Sequence, residues 1–211
     1  MFEKGEKFLE FDRIVRVGTH TGQNNLVKRL TEHFLKPNKD RSIFRKHIGR
    51  AILSRDNNLE LLKQWEIDLT GKKAREEWAG KIDTAAIKSV EDRVTAYMQE
   101  YFTFSVIPLE TKEERLFFEA GIIATTSRSP HFYPSANWLG KFSPEEKIRT
   151  RGVWLVHGLN GRSLTEAEMG DLIKCAETSR LKELNSKDIT VFKQHERSSE
   201  NASRDNFFNK T

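Results

Sequence analysis

The stretch that decides the predicted fold covers residues 13–35 and reads RIVRVGTHTGQNNLVKRLTEHFL. Its first six residues alternate basic and β-branched side chains as far as Gly18, a pattern typical of a β-strand that ends in a polar loop. Apolar side chains then recur at helical spacing over residues of about 24–35, and Pro37 ends the pattern. The sequence therefore predicts a strand, a polar loop and a short amphipathic helix.

Helical periodicity dominates the rest of the chain, with two further strand-like runs. Helices are predicted from about Ser42, over residues 83–100, over residues 116–124 behind a capping-box pattern of Thr111 and Glu114, after Ser143, and from a cap of Ser163 with Glu166 to about Leu181. Strands are predicted at residues 101–109 and 152–157. Residues of about 57–82 are polar and indicate an insertion with weak helices.

Composition favours one globular domain with a basic surface. The chain has 211 residues, enough for one well-packed domain and an appendage. Lys and Arg total 36 against 31 Asp and Glu, and the resulting net charge of +5 favours a polyanionic partner without establishing one. A single cysteine, Cys175, excludes an intrachain disulfide, and no apolar run reaches the roughly 18 residues of a membrane span. We therefore expect a soluble, cytoplasmic protein with no membrane partner.

Two candidate functional residues lie four positions apart on the first predicted helix. Arg29 and His33 project from one face, about 40° apart around the axis, so they can act on one ligand. An arginine suits a phosphate because its planar guanidinium donates two parallel hydrogen bonds. The neighbouring apolar face is predicted to comprise Leu26, Val27, Leu30 and Phe34. A solvated surface pair is the alternative interpretation.

Glu119 lies within the apolar run of residues 116–123, and its direction on a helical wheel falls between those of Ile122 and Ile123. Burying a carboxylate without a partner costs roughly several kcal/mol, so we expect an arginine or a metal ion beside it. A solvent-facing helix or an internal salt bridge would also explain the residue.

Three other polar residues are weaker candidates. His20 follows Gly18 at a strand end, and a neutral imidazole can accept a proton near pH 7. Asn137 lies in a loop predicted over residues 127–140, where its amide fits either a turn or a phosphate contact. His47 lies on an apolar helix face and is expected to be a core histidine. The sequence has no phosphate-binding loop, zinc-ligand spacing, nucleophile elbow or dinucleotide fingerprint.

The order of these features resembles the GIY-YIG endonuclease superfamily, in an uncharacterised bacterial and phage-type branch. The resemblance covers roughly residues 5–160. Its matching segments are VRVGTH at 15–20, LVKRL at 26–30 followed by His33, SIFRKHIGRA at 42–51, and Pro134-Ser135 with WLG at 138–140. It implies an α/β fold of the α+β type, in which helices flank a small antiparallel sheet of about three strands.

The resemblance also implies chemistry and a substrate. The protein would cleave nucleic acid, with DNA as the expected substrate and with one Mg²⁺ or Mn²⁺ ion. Glu119 would be the metal ligand, Arg29 would bind and polarise the scissile phosphate, and His33 would assist nearby. A single carboxylate suffices because Mg²⁺ usually keeps several waters. Further substrate contacts would come from Arg16, Lys28 and Asn137.

The sequence departs from the family's pattern at both signature tyrosines. Arg16 occupies the position of the second tyrosine, and no Gly-Ile-Tyr strand precedes residue 13. The chain is therefore expected to lack the first strand, which a truncated or misassigned N-terminus would explain. His20, with His33 behind it, is the remaining candidate for the general base.

The predicted organisation is a nuclease domain over residues 1–160, a helical extension over 161–193 and a disordered tail over 194–211. The favoured function is a metal-dependent endonuclease that acts on DNA. One alternative is a catalytically inactive module that binds nucleic acid. Another is a truncated fragment that folds poorly because a sheet edge is unpaired.

Overall fold

The structure of the protein, a computed structural model, describes residues 1–20, 22 and 25–181. Within these residues a sheet of three strands has the order β2-β1-β3, and both outer strands run antiparallel to the middle one. The strands are β1 (Phe2–Phe8), β2 (Phe11–Ile14) and β3 (Phe102–Thr103). Helices surround this sheet, so the predicted α+β fold is confirmed.

The middle strand, β1, corrects the expectation that the first strand is missing. β1 carries no Gly-Ile-Tyr, and its sequence FEKGEKF contains no β-branched residue. It is a strand because both of its edges are paired: Phe2 lies opposite Ile14 of β2 on one side and Thr103 of β3 on the other. Long-range pairing therefore decides the conformation of this segment, against its weak strand propensity.

Two buried carboxylates fix β1 to distant parts of the chain. Glu3 accepts hydrogen bonds from the indole nitrogens of Trp138 (2.8 Å) and Trp154 (2.9 Å). Glu6 accepts one from Nε of the fully buried Arg13 (3.2 Å). Because buried charges are costly unless they are paired and hydrogen-bonded, these bonds make the position of β1 specific.

The helices of the described chain lie close to the positions predicted for them. They are α1 (Asn25–Phe34), α2 (Ile43–Arg55), α3 (Leu59–Glu66), α4 (Lys72–Glu77), α5 (Thr84–Tyr101), α6 (Lys112–Arg128), α7 (Glu146–Arg151) and α8 (Glu166–Leu181), with one turn of 3₁₀ helix at Leu139–Phe142. Ser42 caps α2, Asp83 caps α5, and Thr111 with Glu114 forms the capping box of α6. The start of α6 was therefore predicted from its capping box, and the starts of α2 and α5 were predicted from helical periodicity.

The cap of α8 is different from the predicted one. Thr165 Oγ1 accepts from the Glu168 N–H, and the Glu168 carboxylate accepts from the Thr165 N–H, so this pair forms the cap in place of Ser163 and Glu166. The rest of the predicted extension, 182–193, and the predicted disordered tail, 194–211, lie outside the described residues. No helix among the described residues combines the length and the apolar character needed to cross a bilayer.

Two predicted strands have different boundaries. β2 ends at Ile14, and Val15 beyond it accepts a hydrogen bond from the Trp154 N–H (2.8 Å) through its carbonyl group. β3 is only two residues long. It begins late because α5 continues to Tyr101, and residues 104–109 after it lie outside the sheet. This segment forms one wall of the cleft described below.

The apolar run at 152–157 is not a strand. Gly152 and Gly158 at its ends have positive φ angles of 68° and 76°, which bend the backbone away from an extended path. Val153 and Trp154 are buried within the core instead. The apolar composition of this run reflects burial, which the sequence pattern could not distinguish from strand formation.

The polar insertion at about 57–82 contains α3 and α4, which are both short, as predicted. α3 is nevertheless anchored firmly, because its Trp65 is fully buried against Gly49 of α2. A Cβ atom at position 49 would lie 2.3 Å from the Trp65 ring, so only glycine allows this approach. The insertion is therefore packed onto the main core.

Candidate active site

A cleft opens where the chain leaves β2 and meets α6. Its volume is about 230 Å³, and α1, α8 and residues 104–109 complete its walls. Six residues with polar side chains line it: Arg16, Thr19, His20, Ser105, Arg115 and Glu119. Three predicted site residues, Arg16, His20 and Glu119, thus meet in one cavity although they come from distant parts of the sequence.

Glu119 presents its carboxylate to this cleft from α6. The side chain is half-buried, and the neighbouring positions Phe118 and Ile122 also line the cavity. The Thr19 N–H donates to Oε1 (3.0 Å), which ties the carboxylate to the loop after β2. Within the described residues, Oε2 has no hydrogen-bond partner. One carboxylate oxygen is therefore held by the protein and the other is available to a ligand.

Arg16 is the cation that faces Glu119. Its side chain is buried, its Nη1 donates to the Trp154 carbonyl (2.7 Å), and its guanidinium carbon lies 4.6 Å from the centre of the Phe44 ring. Burial and the positive charge of Arg29 lower the pKa of Arg16 to about 10, while the charge of Glu119 acts in the opposite direction. Arg16 therefore stays charged at neutral pH, and both Arg29 and Glu119 lie close enough to act on it.

Arg29 lies on α1 and remains partly accessible, with 41% of its side chain exposed. Its only ion pair in the described chain is with Glu32 of the same helix (3.2 Å), a surface contact of small energy. Lys28 beside it is exposed. Val27 is also 40% exposed, so the prediction that it faces the core is wrong. Arg29 is therefore accessible from solvent, and it does not line the cleft.

His33 is buried behind the arginines and does not line the cleft. Its Nδ1 lies 2.7 Å from the Ser42 hydroxyl, and its ring packs edge-on against Phe44. Burial, reinforced by the charges of Arg16, Arg29 and Arg45, lowers the pKa of His33 to about 3. His33 is therefore neutral at physiological pH and joins α1 to the start of α2.

The lowered pKa of His33 makes stability depend on pH. The unfolded chain binds this proton first, so the contribution of neutral His33 is present above pH 6.5 and is lost as the pH falls toward 3. Between pH 7 and pH 5, wild-type protein should lose about 2 kcal/mol of unfolding free energy that His33→Asn does not lose. Urea denaturation of both proteins at the two pH values measures this difference. Equal losses in the two proteins would contradict the assignment of this pH dependence to His33. Burial also lowers the pKa of His47 to about 3, but His47 is present in both proteins, so its contribution cancels in the difference.

His20 has the geometry of a proton acceptor. Its ring lines the cleft, and Nδ1 lies 2.7 Å from the carbonyl oxygen of Gly22. Because a carbonyl oxygen can only accept, Nδ1 must carry the hydrogen, which leaves Nε2 of the neutral ring as an acceptor. Among the described residues that line the cleft, His20 is thus the histidine that can accept a proton.

Asn137 does not reach the cleft. It lies in an exposed turn, whereas the adjacent Trp138 is buried. The backbone N–H of Ser135, two residues earlier, donates to the Glu6 carboxylate (3.0 Å), so this loop is fixed to β1. The sequence pattern gave no sign of that anchor.

Sequence reasoning missed Arg115, which lines the cleft one helical turn before Glu119. The four-residue spacing between the two was a usable signal, because it places both side chains on one helix face. None of the three tyrosines, Tyr97, Tyr101 and Tyr133, lines this cavity. The described cleft is therefore lined by charged side chains and by no tyrosine.

The donor set suits a hard divalent cation held by few protein ligands. No group of three or more His, Cys, Asp or Glu side chains with metal-binding geometry occurs in the described chain. Mg²⁺ commonly takes one or two carboxylates and keeps several waters, so a carboxylate with one unpartnered oxygen in an open cleft fits it. Glu119 is the residue that would hold such an ion.

The fold agrees with the comparison with known protein families. The sequence model of the GIY-YIG domain matches residues 1–181, and the chain belongs to the GIY-YIG family. This family consists of endonucleases, which act on nucleic acids and generally depend on a divalent metal, so its general function is nuclease-type chemistry. No curated protein and no solved structure matches the chain significantly.

Proposed function

We propose that the protein is a metal-dependent endonuclease that hydrolyses phosphodiester bonds in DNA, with Mg²⁺ or Mn²⁺ as its ion. The observation that supports this proposal is that Glu119 and Arg16 line one cleft. Arg29 lies close enough for its positive charge to lower the pKa of Arg16. A carboxylate that can hold a divalent ion and cations that can hold a phosphate are the two requirements of this chemistry. The net charge of +5 supports a polyanionic substrate.

Each charged residue has a separate role in the proposed reaction. Glu119 would hold the ion, which when bound supplies a Lewis acid and a more acidic water. Arg16 is fixed by the Trp154 carbonyl and would direct its remaining N–H groups at the scissile phosphate. Arg29 would approach the same phosphate from α1. His33 would position α1 without contacting the substrate, because it is buried.

Proton transfer would fall to His20, since the family's signature tyrosines are absent from this sequence. Its Nε2 would take the proton of the attacking water near neutral pH. Lys28 and Asn137 lie outside the cleft, so they would contact the DNA strand beyond the scissile phosphate.

A binding module without catalytic activity is the second candidate. The observation that favours it is that no tyrosine lines the cleft. Such a protein would keep Arg16 and Arg29 as phosphate contacts and would bind DNA without cutting it.

Removal of divalent metal separates the two functions. Supercoiled plasmid incubated with the protein and Mg²⁺ or Mn²⁺ should convert to the open-circular form on an agarose gel, and excess EDTA should abolish that conversion. The physical reason is that Glu119 alone supplies no Lewis acid. Plasmid that is retarded on the gel but never nicked with either ion would instead support the binding module, and nicking that persists in EDTA would contradict the metal requirement.

A further inference from the structure

Arg115 and Glu119 project from the same face of α6 into the cleft. Their spacing of one turn separates them by about 6 Å along the helix axis. A substrate strand whose scissile phosphate lies at Glu119 and Arg16 would therefore bring the adjoining nucleotide toward Arg115.

The charge of Arg115 is not neutralised by a salt bridge within the described residues. Its Nη1 donates to the backbone carbonyls of Leu109 and Glu110, each at 3.0 Å. Its Nε is buried and has no hydrogen-bond partner in the described structure. Carbonyl partners orient the guanidinium while leaving its positive charge in place, and an unsatisfied buried donor is costly. Both features suit a group that completes its contacts when an anion binds.

The wall beside Arg115 is apolar and partly aromatic. The cleft is lined by Phe118 and Ile122 of α6 and by Val106 and Leu109 of the segment that leaves the sheet after β3. The volume of about 230 Å³ is below the ~300–1,000 Å³ of pockets for drug-sized ligands, so the cavity suits a group as small as a single base. Aromatic surface next to positive charge is the combination with which proteins hold unstacked nucleotides.

We infer that this part of the cleft is a nucleotide subsite, in which Arg115 binds the phosphate of an unpaired nucleotide and the apolar wall receives its base. The inference rests on the proposed function and narrows its substrate class to DNA with single-stranded or unpaired residues at the cleavage point. A base stacked within a duplex cannot enter the cavity, because its faces are covered by its neighbours. Charge complementarity selects a nucleotide over an uncharged apolar ligand.

Binding measured without metal tests the subsite apart from catalysis. The full chain carrying Glu119→Gln is titrated, by fluorescence anisotropy, with labelled oligothymidylate and with a blunt duplex of the same length. The single strand should bind more tightly. Adding Arg115→Gln should weaken single-strand binding about tenfold and make the negative slope of log affinity against log salt less steep by about 0.7. Adding Phe118→Ala should also weaken it about tenfold, with little effect on the duplex.

Arg75 provides a matched control. On α4, it donates from Nη1 to the carbonyls of Leu69 and Thr70, which stand at the same sequence offsets as the partners of Arg115, but it does not line the cleft. Arg75→Gln should leave both affinities unchanged. If Arg115→Gln and Arg75→Gln lower the melting temperature alike and neither alters binding, Arg115 only pins a loop and the subsite is overturned.

Phe118→Ala and the nicking assay distinguish failure of the subsite from failure of the proposed nuclease activity. Phe118→Ala removes neither carbonyl contact, so it tests the base site even if Arg115→Gln does not fold. Equal affinity for duplex and single strand, unchanged by Phe118→Ala, would also overturn the inference. A chain that binds oligothymidylate through Arg115 but never nicks DNA with Mg²⁺ or Mn²⁺ would remove the proposed nuclease activity alone.

Discussion

Glu119→Gln should lower the rate of DNA cleavage by roughly 10²–10³-fold or more, the scale on which loss of a charge-stabilising catalytic group is felt. Glutamine keeps the size of the side chain, and its carbonyl oxygen can still accept the Thr19 N–H that Glu119 accepts at 3.0 Å. The substitution removes the negative charge that would hold a divalent cation. The cleft should therefore keep its shape and lose its metal.

The measurements are the initial rate of plasmid nicking and the heat of Mn²⁺ binding. DNA affinity without metal should stay equal or rise slightly, because one repulsive charge leaves the cleft. Glu113→Gln is the matched control, since Glu113 is an exposed carboxylate in the first turn of the same helix and does not line the cavity. Wild-type nicking by Glu119→Gln would exclude Glu119 as the metal ligand.

Glu91→Ala should cost about 3–5 kcal/mol of unfolding free energy, because it leaves the charge of Arg45 buried without its partner. Arg45 is fully buried, and its Nη2 donates to Oε2 of Glu91 at 2.7 Å. The same guanidinium donates from Nη1 to the His33 carbonyl (2.9 Å). The pair thus joins α1, α2 and α5 at one point. A loss of this size is a large part of the 5–15 kcal/mol that stabilises a typical domain.

Urea denaturation measures this loss, and the next residue of α5 provides its control. Asp92 forms an exposed ion pair with Lys88 (2.8 Å), with side chains 56% and 77% exposed, so Asp92→Ala should cost less than about 1 kcal/mol. If the two substitutions have similar effects, the buried pair is not a determinant of stability.

Sequence patterns predicted the parts of the fold that depend on local interactions. The starts of α2, α5 and α6 follow from capping side chains that bond to backbone groups three residues away. β1 could not be predicted in this way, because its strand conformation depends on pairing with Thr103 and on the bonds from Trp138 and Trp154 to Glu3. No local pattern contains those partners.

The candidate site shows the same division between local and distant information. A carboxylate among apolar helix residues indicated Glu119, and the family resemblance indicated Arg16, although their proximity depends on the tertiary fold. The spacing of Arg29 and His33 suggested a shared role, but burial separates an accessible arginine from an inaccessible histidine. Sequence spacing gives the direction of a side chain; it does not give the depth at which that side chain is buried.

The order of strands in the sheet has a consequence for how the molecule assembles. The β1–β2 hairpin is local, but β1 acquires its second neighbour only at Phe102 and Thr103, after five helices have intervened. A hairpin alone is at most marginally stable in water. During synthesis on the ribosome, one edge of β1 therefore stays unpaired, and can form non-native pairs, until the end of α5 has emerged.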